Sequence, residues 1–168
     1  MQNKTVMITR GAVIASLYVV VVMIFRPISF GAAGAVQCRV AEALTLLPFI
    51  WPEAIPGLFV GCLIANILGG LGPWDVFLGS GATLAAAVLT WRCAKSGNIV
   101  MAATWPVIVN GVVVGGYLSI IAAIPWFLSM LYVAAGQAIA CYALGIPLLR
   151  LLSRLYQPGS SSPNIKNG

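Results

Sequence analysis

The stretch SGNIVMAATWPVIVNGVVVGGYLSIIAAIPWFLSMLYVAAGQAIACYALGIPLL, residues 96–149, runs for 54 positions without a charged side chain. A bilayer core takes about 20 mainly apolar residues per helix, so this stretch has room for two crossings. Ile124-Pro125-Trp126 marks the turn between them, since proline cannot continue a helix that reaches it. Working outward, the uncharged runs are 16 residues between Asp75 and Arg92, 21 between Glu53 and Asp75, and 15 between Arg10 and Arg26. The spacing predicts helices near 6–25, 36–51, 54–72, 76–94, 98–122 and 126–152. The expected fold is therefore an all-α integral membrane protein, a compact bundle of six transmembrane helices spanning residues 1–156. Gln157 to Gly168 is rich in Ser, Pro, Asn and Gly and is expected to be a disordered cytoplasmic tail.

Composition agrees. Of 168 residues 61% are hydrophobic and 7% charged, with a mean hydropathy of +1.02, far from the roughly 25% charge of a water-soluble domain. The amino-terminal run, with Lys4 and Arg10 ahead of it and Ala33-Gly34-Ala35 behind it, has the outline of a secretory signal; five further spans make it a first membrane helix instead. With six spans, Lys4, Arg10, Arg92, Lys95, Arg150, Arg154 and Lys166 share one side and Arg26 and Arg39 the other, which places both termini in the cytoplasm. The net charge of +6 is thus a topology signal, and no nucleic-acid partner is implied.

Several chemistries are excluded. The chain has no histidine, hence no His triad, His-ligated metal or His proton relay. Cys38, Cys62, Cys93 and Cys141 lie on separate segments without C-x-x-C spacing and read as small apolar residues, with no metal site. There is no phosphate loop of the G-x-x-x-x-G-K-[ST] type, so the chain needs no cofactor of its own and any ATP is hydrolysed by a partner subunit.

In a membrane bundle the informative side chains are the polar ones at depth, because each is costly there. Arg39 and Glu42 stand at i and i+3, on one helical face, where they can neutralise each other as a structural pair or form part of a ligand site. Asn66, Asn110 and Gln137 each lie about 16–18 Å into their helices, near mid-membrane. Each amide alone suits an interhelical tie; together with an acid–base pair they favour a polar cavity. Asp75 opens the fourth predicted helix, either as an N-cap or as an acid facing the same cavity. Trp74, Trp105, Tyr117 and Trp126 offer aromatic faces to a planar ligand or to the membrane interface. Small residues four apart, Gly11/Ala15 and Ala12/Ser16 on the first helix, suit docking of a partner subunit, whereas Gly57, Gly61, Ala65 and Gly69 suit internal packing.

The blocks Arg26-Pro27-Ile28-Ser29-Phe30-Gly31, Val36-Gln37-Cys38-Arg39-Val40-Ala41-Glu42-Ala43-Leu44, Gly57-Leu58-Phe59-Val60-Gly61-Cys62-Leu63-Ile64-Ala65-Asn66 and Asp75-Val76-Phe77-Leu78-Gly79-Ser80-Gly81-Ala82-Thr83 resemble the QueT family, over roughly residues 5–152. The Q-x-R-x-x-E-A-L and D-V-x-x-G-S-x-x-T patterns are its specific parts. The resemblance implies a queuosine-precursor transporter of the bacterial cell membrane, the substrate-capturing S component of an energy-coupling factor (ECF) importer. It further implies a pocket near the extracellular side, docking through the first helix onto a transmembrane coupling subunit, and two ATPase subunits as partners. Such subunits often carry A-x-x-x-A on that helix; here Gly11-x-x-x-Ala15 and Ala12-x-x-x-Ser16 stand in its place. The expected site comprises Gln37, Arg39, Glu42, Asn66, Asp75, Asn110 and Gln137, with Gly11, Ala12, Ala15 and Ser16 contacting the partner. A 7-deazaguanine fits this set, since its pyrimidinone edge presents adjacent N–H donors to a carboxylate, Glu42 or Asp75, and the other acid can face an aminomethyl cation. Competing expectations are an S component for another vitamin or nucleobase, a structural membrane assembly protein and, weakest, an intramembrane enzyme lacking any evident nucleophile–base pair.

Overall fold

Val40–Phe49 lies at the centre of the molecule, and every residue from Ala41 to Phe49 is buried. The computed structural model describes residues 4–29 and 39–155, and all the regular structure among them is helical. In chain order the elements are α1 (Lys4–Ile24), the short α2 (Arg26–Ser29), α3 (Val40–Phe49), α4 (Ala54–Leu68), α5 (Asp75–Ser96), α6 (Ile99–Ala122) and α7 (Trp126–Leu155). Four of these, α1, α5, α6 and α7, are long and apolar enough to cross a membrane.

The boundaries of α1, α5, α6 and α7 fall within a few residues of those expected. Asn98 caps α6 by accepting from the Met101 N–H at 2.9 Å, and Gly97 supplies the left-handed turn before it at φ 70°. Pro125 separates α6 from α7 as expected. Two elements differ. The second helix, expected over 36–51, is a 3₁₀ helix of ten residues, with 30–38 outside the described residues. At about 2.0 Å per residue it covers about 20 Å, shorter than a hydrocarbon core of about 30 Å. The third, expected to reach residue 72, ends at Leu68, where Gly69-Gly70 follows and Gly70 takes φ 68°.

Packing follows from side-chain size. α1 lies on α4, and the approach is so close that a Cβ on Gly57 would sit 2.5 Å from the Gly11 carbonyl oxygen and one on Gly61 2.8 Å from that of Ala15. Internal packing is therefore what Gly57 and Gly61 do. It also engages Gly11 and Ala15, two of the four residues expected to meet a partner, while Ala12 and Ser16 face outward. The α6/α7 hairpin closes the same way, with Gly115 against the Met130 backbone and Gly111 against Ala134. One apolar cluster joins Tyr18, Leu44, Leu47 and Leu58 across α1, α3 and α4; a second joins Leu46, Phe49, Ala103 and Leu149 across α3, α6 and α7. α3 is thus the element that both halves share.

At the other end of α1, Arg10 pairs with Glu53 at 2.9 Å and lies over the Trp51 ring, 5.3 Å from its centroid. Glu53, which the sequence left without a role, ties the α3–α4 turn to α1.

Candidate functional site

Glu42 stands in the first turn of α3, fully buried, and gathers donors from three other helices. The Tyr18 hydroxyl of α1 donates to its Oε1 at 2.5 Å, the Thr83 hydroxyl of α5 reaches the same oxygen at 3.1 Å, and Asn110 Nδ2 of α6 donates to Oε2 at 3.3 Å. The Glu42 carbonyl is also engaged, by the Thr45 hydroxyl at 2.6 Å and the Cys141 thiol at 3.7 Å. A short 3₁₀ helix suits this position: its narrow coil brings large neighbours close to the backbone on all sides, and i+3 side chains such as Thr45 return to cover its carbonyls.

The second acid, Asp75, begins a wide π-helical turn, Asp75–Gly79, that opens α5. Arg39 Nη2 donates to Asp75 Oδ1 at 3.0 Å and the Tyr117 hydroxyl of α6 donates to the same oxygen at 2.7 Å. Asn66 Nδ2 of α4 donates to the Asp75 backbone carbonyl at 2.7 Å and reaches Ser80 Oγ at 3.3 Å. Trp74 rather than Asp75 stands at the N-cap of this turn, and the Asp75 carboxylate accepts from Arg39 and Tyr117 instead, so the capping alternative for Asp75 is set aside. Gly79 keeps this corner open: a Cβ there would lie 3.2 Å from the Tyr117 hydroxyl and 3.5 Å from Asn66 Nδ2.

The expected Arg39–Glu42 pair is corrected by this geometry. Arg39 precedes α3 with extended backbone, φ −78° and ψ 92°, so the helical i,i+3 relation does not apply, and its guanidinium reaches across to α5 instead. Asp75 is its carboxylate partner, while the bonds to Glu42 come from neutral groups.

Of the expected site residues, Arg39, Glu42, Asn66, Asp75 and Asn110 come together in one buried network around two carboxylates. Gln137 is buried on α7, one turn before Cys141, and its Oε1 has no hydrogen-bond partner among the described residues. Gln37 lies outside the described residues. Of the four candidate aromatic faces only Tyr117 belongs to the network; Trp74 and Trp126 are exposed, and Trp105 donates to Cys93 Sγ at 3.0 Å. Sequence reasoning missed Tyr18, Thr83 and Ser80 as members. Thr83 and Ser80 belong to the D-V-x-x-G-S-x-x-T pattern, where polar residues recur on an otherwise apolar helix. Tyr18 carried no such signal, sitting alone between Leu17 and Val19. Cys62, read as merely small and apolar, lies 3.5 Å from both Thr83 Oγ1 and Asn66 Nδ2 and bridges the two halves of the network.

Four long apolar helices around a buried, charged, hydrogen-bonded centre define a membrane protein with a polar interior, and such interiors in membranes mark substrate paths. The family model described as QueT transporter matches residues 8–154, and the chain belongs to that family. It is accordingly a membrane transporter and not an enzyme. Neither curated proteins nor solved structures yield a significant match.

Proposed function

We propose that this chain is the substrate-capturing S component of an ECF-type importer in the bacterial cell membrane. In this reading it crosses the membrane several times with both termini in the cytoplasm. It binds a queuosine precursor of the 7-deazaguanine class, such as 7-aminomethyl-7-deazaguanine or queuine, and delivers it inward with a transmembrane coupling subunit and two ATPase subunits. The observation that carries the reading is the pair of buried carboxylates, Glu42 and Asp75, held by donors from α1, α5 and α6 and by Arg39. A guanine-type edge presents adjacent N–H donors to such an acceptor, and a carboxylate accepts them in bidentate fashion.

Partner docking has support of its own. α1 is the least buried of the long helices and exposes Ile8, Val13, Leu17 and Val20, with Ala12 and Ser16 on the same outward side. Beside it an apolar groove of about 590 Å³ runs between α1 and the start of α4, lined by Ile8, Ala12, Pro52, Pro56 and Val60 among others. Small residues there let a partner helix approach closely in lipid. ATP is hydrolysed by the partner subunits and the chain itself needs no cofactor.

Binding of 7-aminomethyl-7-deazaguanine to the purified, detergent-solubilised chain tests the substrate reading. Replacing Glu42 or Asp75 separately with Ala is expected to weaken binding by about tenfold or more, the loss of a charge-assisted hydrogen bond. Unchanged affinity in both variants would sink the assignment.

A further inference from the structure

Three helix termini meet at one end of the bundle. Cys93 near the end of α5, Ile99 at the start of α6 and Leu149 near the end of α7 are buried in one apolar cluster with Phe49. The cations that adjoin them in the chain, Arg92, Lys95, Arg150 and Arg154, are all exposed. The sequence holds three acidic residues, and each is engaged elsewhere: Glu42 and Asp75 in the buried network, Glu53 with Arg10. No side-chain carboxylate is left for these four cations, so their counter-charge comes from outside the chain.

The two guanidiniums of α7 have a definite placement. Successive residues turn by about 100° around a helix. Leu148 and Leu152 pack toward the cluster of Tyr18 and Leu44, and Ile146 and Leu149 toward that of Phe49 and Cys93. Arg150 and Arg154, one turn apart, therefore share the flank beyond Ile146 and Leu149, turned away from α1 and toward α6. On that side Thr104 of α6 and Tyr142 of α7, two turns before Arg150, share a surface hydrogen bond at 2.8 Å. When Thr104 donates to Tyr142, the phenol proton is left for an acceptor outside the protein. Around this hydroxyl pair the surface is apolar, with Val100, Ile108 and Ile139 exposed. A topology signal needs only the sign of charge at this end. A pair of guanidiniums, then a hydroxyl pair, then exposed apolar side chains match in order the phosphate, ester and acyl parts of a lipid.

We infer that the α6/α7 flank at this end is a binding site for an anionic glycerophospholipid. Arg150 and Arg154 hold the phosphate, where planar guanidiniums form charge-assisted and bidentate bonds, and Lys95 at the α5–α6 turn adds to the positive field. Tyr142 meets the ester region, and the acyl chains lie along Ile108 and Ile139. The site is separate from the outward face of α1 and from the buried network, so it stays open whatever those two bind.

Native mass spectrometry of the full chain in detergent tests this, with phosphatidylglycerol and phosphatidylcholine of equal chain length added in equal amounts. The wild-type chain is expected to retain phosphatidylglycerol over phosphatidylcholine by about tenfold, and Arg150→Gln/Arg154→Gln to lower that retention about tenfold or more. Lys4→Gln/Lys166→Gln, which removes the same charge elsewhere, is expected to leave retention within about twofold. Tyr142→Phe is expected to weaken it by about two- to fivefold. No preference in the wild-type chain, or an equal loss in the Lys4/Lys166 variant, overturns the site. Displacement of the lipid by an excess of inorganic phosphate also overturns it, by assigning the cations to a free anion. Should thermal unfolding show that the Arg150/Arg154 variant does not fold, Arg154→Gln alone carries the comparison, since that residue is exposed next to the last residue of α7.

Discussion

Asp75 holds a guanidinium nitrogen and a phenol hydroxyl on a single oxygen, in a site from which little of the side chain is exposed. Removing one member of a buried ion pair strands the other, at a cost of about 3–5 kcal/mol, whereas removing both together spares that penalty. Asp75→Ala is therefore expected to destabilise the chain more than the double variant Arg39→Met/Asp75→Ala, measured by denaturant unfolding in detergent. Strictly additive losses would show that the two side chains are not coupled. At this scale the sequence named five of the network's members by residue type alone, because charged and amide side chains stand out in an apolar chain. Their pairing was not legible. A separation of three positions from Arg39 to Glu42 suggests an ion pair only if both residues are helical, and Arg39 is not.

At the scale of elements, small residues set how close the helices come. An added methyl on Gly57 meets the Gly11 carbonyl at 2.5 Å, and one on Gly115 meets the Met130 Cα at 2.6 Å, so in each case backbone must move. Gly57→Ala and Gly115→Ala are expected to cost about 1–3 kcal/mol as overpacking. Gly81→Ala, where nothing lies within 4 Å, is expected to be neutral or to stabilise by about 0.5–1 kcal/mol through helix propensity. Thermal unfolding of the three variants checks this; equal behaviour would mean that contact distance does not decide the outcome. The long helices were legible from runs of uncharged residues and from Pro125. The 3₁₀ geometry of α3 was not, since Val40–Phe49 has the same apolar composition as an α-helical core segment and takes its form from being surrounded.

For the molecule as a whole, α3 links α1 and α4 on one side to α6 and α7 on the other, and the site sits where these elements and α5 converge on it. The outward face of α1 is left uncovered, with large apolar side chains along it. If that face serves a coupling subunit, uptake of labelled 7-aminomethyl-7-deazaguanine is expected only when this chain is co-expressed with its coupling subunit and ATPases. Undiminished ATP-driven uptake by the chain alone would contradict the importer reading.

By itself the amino-acid sequence determined the class of protein, since a chain with 61% hydrophobic and 7% charged residues has too few charges for an ordinary water-facing surface, and uncharged runs of 15 to 54 residues have the length of membrane helices. It also marked the residues whose burial would be costly. Only the tertiary structure decided which acid the guanidinium neutralises, that Tyr18 and Thr83 complete the site around Glu42, and that Gly11 and Ala15 serve an internal contact. The physical reason is that these are contacts between residues far apart in the chain, set by how helices of given side-chain size pack, and hydropathy along one sequence carries no record of which faces meet.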